Sequence, residues 1–166
     1  MSPGKSFRIE PLRADQAREI LNWQYPEPYD FYDPPGVRQT EEYVREFLNP
    51  LFKFHAVMDA HGGLVGFCSF GIDGQVPGGD YSEEALDIGL GMRPELTGRG
   101  LGGTFFNSIL THAARTLNPV RYRLTVANFN RRAINLYHKF GFTLQSEFED
   151  TRERIPYVIL VREEVS

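Results

Sequence analysis

The stretch Met92-Arg93-Pro94-Glu95-Leu96-Thr97-Gly98-Arg99-Gly100-Leu101-Gly102-Gly103-Thr104-Phe105-Phe106 decides how this chain is read. Upstream, residues 85–92 form an apolar run interrupted by Gly89 and Gly91, the mark of a strand with a bulge or a close backbone neighbour. Downstream, Leu101, Phe105, Ile109 and Ala113 recur at helical spacing and predict a long helix over 98–117. Between them lie consecutive small residues, so the backbone N–H groups from Gly98 to Gly103 can converge on one point. The positive end of the helix stands behind them, which makes the turn an anion site. Arg99 adds a side-chain donor suited to phosphate oxygens. A pyrophosphate is the ligand that best fits such a cradle.

Gly98, Gly100 and Gly103 also satisfy G-x-G-x-x-G, the dinucleotide fingerprint. That reading needs an acidic residue about 20 positions on, to hold a ribose hydroxyl. No acid occurs between Leu96 and Ser146, and Arg121 and Arg123 fill the region. The turn also lies past the middle of the chain rather than in its first strand-helix unit. A Walker P-loop fails as well, because no Lys-Ser/Thr pair follows the glycines.

Working outward, the charge is as asymmetric as the motif suggests. The acid-free segment holds Arg99, Arg115, Arg121, Arg123, Arg131, Arg132 and Lys139 and is formally +7, so the remainder must carry −11 to give the net −4. A basic block in an acidic protein predicts one surface that meets an anion. Nucleic acid is not the expected anion, since there is no Lys/Arg-rich run and the remainder is acidic. The length of 166 residues fits one domain, and 41% hydrophobic with 24% charged residues is ordinary for a soluble globular chain. No apolar run approaches the roughly 20 residues that span a bilayer, and the N-terminus lacks an apolar signal region, so no membrane partner is expected. Cys68 is the single cysteine. An internal disulfide is therefore impossible, a cytoplasmic setting is the expectation, and Cys68 reads as a small buried hydrophobe.

The rest of the chain reads as an alternation of elements. Residues 7–12 predict a first strand, 15–23 a helix, and 40–48 a second helix with Thr40 as N-cap. Between these helices, YPEPYDFYDPPG is too rich in proline for regular helix and reads as an ordered, aromatic loop. Residues 52–58 and 64–72 predict a hairpin around the turn residues AHGG, followed by the strand 85–92. After the long helix come a strand at 120–127, a helix at 131–140 stopped by Gly141, and a strand pair at 142–148 and 157–162. The order is β-α-α-β-β-β-α-β-α-β-β: a single α/β domain over 1–166 with a mixed, largely antiparallel sheet and helices on both faces.

With those elements in place, the chain resembles the GNAT superfamily of N-acetyltransferases. Thr97-Gly98-Arg99-Gly100-Leu101-Gly102 matches the family's pyrophosphate loop, Q/R-x-x-G-x-G/A, except that Thr97 replaces Gln or Arg. A second signature, N-x-x-A-x-x-L-Y-x-x-x-G-F, is met by Asn130, Ala133, Leu136, Tyr137, Gly141 and Phe142. The resemblance implies acetyl-CoA as cosubstrate, held by Met92, Gly98, Arg99, Gly100, Leu101, Gly102, Gly103 and Asn130. It implies direct transfer of the acetyl group to a primary amine of a small molecule or a protein N-terminus, with Tyr137 protonating the departing thiolate. A phenol is protonated at neutral pH, as a general acid must be. Read from the residues alone, Tyr137 with Ala133, Leu136 and Phe140 makes a packed helix face, and Asn130 is a helix N-cap.

The resemblance points to Asp87, near where relatives place a Glu, as the base that deprotonates the amine, with Glu83, Glu84 or a water chain as alternatives. His55, His61, His112 and His138 are scattered in sequence, and no metal is expected. The resemblance also implies that the acceptor enters beside the loop 25–32, where Glu27, Asp30 and Asp33 can attract a cation and Trp23, Tyr25, Tyr29, Phe31 and Tyr32 offer stacking surface. A non-catalytic acyl-CoA sensor is the alternative function, and a second copy of the chain is carried as a candidate partner.

Overall fold

The computed structural model describes residues 6–33 and 39–164. The elements in chain order are β1 (Arg8–Pro11), α1 (Ala14–Leu21), α2 (Thr40–Phe47), β2 (His55–Met58), β3 (Leu64–Phe70), β4 (Leu86–Met92), α3 (Gly102–Leu117), β5 (Arg121–Ala127), α4 (Arg131–Lys139), β6 (Thr143–Glu149) and β7 (Pro156–Glu163). This is the expected order, with short 3-10 turns added at Tyr29–Tyr32, Pro50–Phe52, Ile72–Gly74 and Pro94–Leu96. The strands form a mixed sheet in the order β1-β2-β3-β4-β5-β7-β6. It is mostly antiparallel, and the pairing of β4 with β5 is parallel, as a strand-helix-strand crossover requires. Among the described residues no helix is long and apolar enough to cross a membrane.

The chain divides into two compact units that are each discontinuous in sequence. One comprises the chain up to Ser69 with Leu90–His112, the other Phe70–Gly89 with the chain from Ala113 on.

In the first unit α1 packs on α2, and their apolar faces meet β2 and β3. Ala17, Ile20, Trp23, Val44, Ala56, Met58 and Leu64 are buried together there, ringed by Phe47, Phe54 and Phe67. Helix α1 starts with Gln16 reaching back to accept from the Arg13 amide at 2.8 Å. Helix α2 starts one residue earlier than expected. Gln39 holds the extended N-cap backbone (φ −71, ψ 150), and Thr40 is already helical.

The expected strand 52–58 is shortened to His55–Met58. Asn49 accepts from the Leu51 amide at 3.0 Å and nucleates a 3-10 turn that ends on left-handed Lys53 (φ 49). In the hairpin that follows, Asp59 Oδ1 accepts from the amides of His61 and Gly63, each at 2.8 Å. A Cβ on Gly91 would lie 2.5 Å from the Phe67 ring, so this glycine marks a close approach of β3 and β4.

In the second unit β7 lies between β5 and β6, with Leu124↔Leu160 and Val126↔Val158 in register on one side and Leu144↔Leu160 on the other. Its core holds Tyr122, Leu124, Val126, Ile134, Phe142, Ile159 and Leu160. Helix α4 ends at Lys139 and the chain turns away at left-handed Gly141 (φ 88), where the Phe142 amide donates back to Tyr137 O at 3.1 Å.

Candidate functional site

In the first unit, the chain leaves β4 at Met92 and makes a 3-10 turn at Pro94–Leu96 before the glycines. Thr97, the residue that departs from the family pattern, donates its hydroxyl to Pro94 O at 2.7 Å and so braces the turn. Gly98 (φ 76) and Gly100 (φ 77) are both left-handed, and Arg99 lies between them. Alternation of this kind turns successive N–H groups to one side, which builds an anion-binding concavity. The Cβ positions of Gly100 and Gly103 face open space, with nothing within 4 Å.

Helix α3 begins at Gly102, and the Phe105 amide makes the first α-helical bond, to Leu101 O at 2.9 Å. The earlier amides of this first turn point along the axis without a helical acceptor, and no acidic residue stands in that turn. Leu101 therefore precedes the helix rather than opening its apolar face, which Phe105, Phe106, Ile109, Leu110 and Ala113 make. Left-handed glycines, a 16-residue helix behind them and open space in front fit the diphosphate of a coenzyme. Arg99 is exposed beside them.

At the end of β4, the Arg93 amide donates to Val65 O at 2.7 Å, and the Met92 carbonyl turns the other way. That carbonyl accepts from Tyr25 Oη at 2.7 Å. The described part of the aromatic loop holds a 3-10 turn at Tyr29–Tyr32, with Phe31 set edge-on to Tyr32 at 5.1 Å. The expected loop residues 34–36 lie outside the described residues. Asp33 accepts from the Tyr25 amide at 3.0 Å, whereas the Glu27 and Asp30 side chains are exposed. His55 and His112, far apart in sequence, bring their rings to 5.2 Å. No group of three metal-ligating side chains occurs among the described residues.

In the second unit, Asn130 caps α4, its Oδ1 accepting from the Ala133 amide at 3.2 Å. The buried stripe of α4 is Ile134 and Tyr137, with Ala133, Leu136 and Phe140 only half-buried. The expected face is thus rotated toward Ile134. Tyr137 is 6% exposed, and its ring lies 6.3 Å from that of Phe142.

Asp87 is buried at 3% exposure and is clamped by Arg123, whose Nε and Nη2 donate to Oδ1 and Oδ2 at 2.7 Å each. Gln75 Nε2 donates a third bond to Oδ2 at 3.0 Å. The guanidinium of Arg123 also stacks over the Tyr81 ring at 4.8 Å and donates to Glu83 O at 2.9 Å. Tyr81 in turn joins Thr125 and the Val76 amide, each at 2.9 Å. A general base needs a lone pair turned to its substrate. In Asp87 three lone-pair directions are taken by this network, and the residue is 3% exposed. Glu83 pairs with Arg121 at 3.1 Å, so Arg121 and Arg123 spend their charge on carboxylates rather than on an external anion. Sequence reading missed Gln75, Tyr81 and Arg123 as partners of Asp87. The sequence carries only an acid, Asp87, and a base, Arg123, each set within an apolar strand.

Three comparisons bear on this arrangement. The family model described as "Acetyltransferase (GNAT) family" matches residues 15–142. A spermidine N(1)-acetyltransferase of Vibrio cholerae serotype O1 is 26% identical over 125 residues, which are 75% of this chain and 66% of that relative, just under two thirds of its length. Among solved structures, a spermidine N-acetyltransferase SpeG chimera from Vibrio cholerae and hSSAT superposes with a TM-score of 0.75 at 19% identity, covering 95% of each chain. The spermidine/spermine N-acetyltransferase SpeG from Vibrio cholerae gives a TM-score of 0.69 at 18% identity, over 98% of this chain and 95% of that one. At these identities the two structures are alike in fold.

Proposed function

Because the chain belongs to the acetyltransferase (GNAT) family, we propose that it is an acetyl-CoA-dependent N-acetyltransferase that acts as a single domain on a primary amine. The observation that carries this reading is the paired left-handed glycines, Gly98 and Gly100, directly before the N-terminus of α3. In this reading the amides from Gly98 to Gly103, Leu101 and Gly102 among them, hold the diphosphate, and Arg99 adds its guanidinium. The backbone of Met92 meets the amides of the pantetheine arm as an added strand would, and Asn130 lies against that arm while capping α4.

Bound acetyl-CoA supplies a thioester, whose carbonyl carbon bonds to the amine nitrogen as its C–S bond breaks. Tyr137 gives its phenolic proton to the departing sulfur, and the phenol is restored by the second proton that the nitrogen sheds, through water, as the amide forms. Asp87 holds Arg123, and the proton of the incoming ammonium leaves through water. The exposed carboxylates Glu27 and Asp30 favour a cationic acceptor, and spermidine, named for the relatives, is the first amine to try. A single cysteine, which forms no internal disulfide, agrees with a cytoplasmic setting. An intact tyrosine in the second signature disfavours a silent acyl-CoA sensor.

Calorimetry with acetyl-CoA tests the coenzyme half: binding in the micromolar range is expected, and no heat at millimolar ligand would overturn the reading. A panel of amines followed by release of free thiol tests the transfer half. Spermidine is expected to outpace amino acids and peptide N-termini.

A further inference from the structure

The strand assigned to the coenzyme is also the anchor of the aromatic loop. Two consecutive residues at its end do the anchoring. Met92 presents its carbonyl on the side away from β3, and Tyr25 Oη donates to it at 2.7 Å. Arg93 places its guanidinium over the Trp23 ring at 5.2 Å, donates from Nε to Leu64 O at 2.8 Å, and pairs with Glu19 at the end of α1. The far end of the loop folds back on the same residue, because Asp33 Oδ1 accepts from the Tyr25 amide at 3.0 Å.

Trp23, Tyr25 and Asp33 thus tie down the loop that carries the exposed carboxylates Glu27 and Asp30. Burial, with Asp33 and Glu95 nearby, raises the phenol of Tyr25 well above its ordinary range, so it stays protonated and remains a donor throughout the physiological range. A carbonyl oxygen has two lone pairs. The Met92 oxygen can therefore accept from Tyr25 and from a coenzyme amide together.

We propose that Tyr25 is a positioning residue for the acceptor: its phenol fixes the loop Trp23–Asp33 to the strand that aligns the coenzyme, so that one carbonyl oxygen registers both substrates. This rests on the assignment of β4 to the coenzyme and of the loop to the acceptor. Arg93 supports the same registration through Trp23 and α1, but its several bonds also hold the fold, and Tyr25 is the separable element.

The test is Tyr25→Phe, which removes one hydroxyl and keeps the ring. Loss of one neutral hydrogen bond corresponds to an increase of roughly fivefold in the KM for the acceptor. The amine used is spermidine, or the fastest substrate of the panel. Turnover at saturation and the dissociation constant of acetyl-CoA are expected to stay within about twofold of wild type. Amide hydrogen exchange over residues 23–33 is expected to quicken, with the rest of the chain unchanged. An unaltered acceptor KM, unaltered exchange in the loop, or equal weakening of coenzyme and acceptor would each overturn the proposal. Absence of acetyl-CoA binding in the wild type would overturn the coenzyme assignment and this proposal with it. Normal coenzyme binding with an unmoved acceptor KM overturns this proposal alone.

Discussion

Replacing Asp87 by Asn tests the strongest electrostatic feature of the molecule. The side chains of Asp87 and Arg123 are 4% and 3% exposed, and they are joined by two bonds of 2.7 Å. Substitution by Asn leaves the guanidinium buried without its counter-charge and turns amide hydrogens toward it. Breaking a buried pair by removing one partner costs about 3–5 kcal/mol. Arg123 keeps its bond to Glu83 O at 2.9 Å and its stack on Tyr81 at 4.8 Å, which argues for the lower end. A loss of about 3 kcal/mol in a chain of this length lowers Tm by about 6–12 °C.

Thermal and urea denaturation of Asp87→Asn, Arg123→Met and the double variant measure this. The double variant is expected to lose far less than the sum of the two single losses, because neither charge is then orphaned. A single variant melting within a degree of wild type, or strictly additive losses, would refute the reasoning. The same proteins separate anchor from base. An anchor loses stability, and its residual activity follows the folded fraction. A base would lose turnover in a protein that is as stable as wild type.

Tyr137→Phe is expected to lower turnover by two orders of magnitude or so, in line with general-acid contributions, with acetyl-CoA affinity nearly unchanged in calorimetry. Equal turnover would return Tyr137 to the core. At Gly100 (φ 77) an added Cβ meets nothing within 4 Å, so the cost of Gly100→Ala is conformational alone, about 1–2 kcal/mol. Its methyl also projects into the space assigned to the phosphates, and acetyl-CoA affinity should fall by roughly tenfold or more; intact affinity would count against the cradle. Cys68 is fully buried, and desolvation pushes its thiol far above the ordinary range, which keeps it protonated and unreactive at neutral pH. A disulfide reagent should therefore label it only on unfolding in urea, and rapid labelling of the folded chain would contradict that burial.

The order of the elements and several of their caps were legible in the sequence, because short-range rules govern them. Hydrophobic periodicity set the element order, and Gly141 ended α4 because a left-handed residue was needed there. Asn130 capped α4 because an amide oxygen at that position can reach the exposed N–H of Ala133. The run of glycines before α3 required left-handed backbone, and two of them supply it.

The tertiary structure decided what each polar side chain does with its freedom. Asp87 meets Arg123 from 36 residues away, and Tyr25 meets the Met92 carbonyl from 67 residues away. No local period encodes such pairings. They follow from which strands become neighbours and from the side to which each backbone group turns. For the same reason nothing local to Asp87 names the charge it meets, and the fold makes it the counter-charge of a buried arginine.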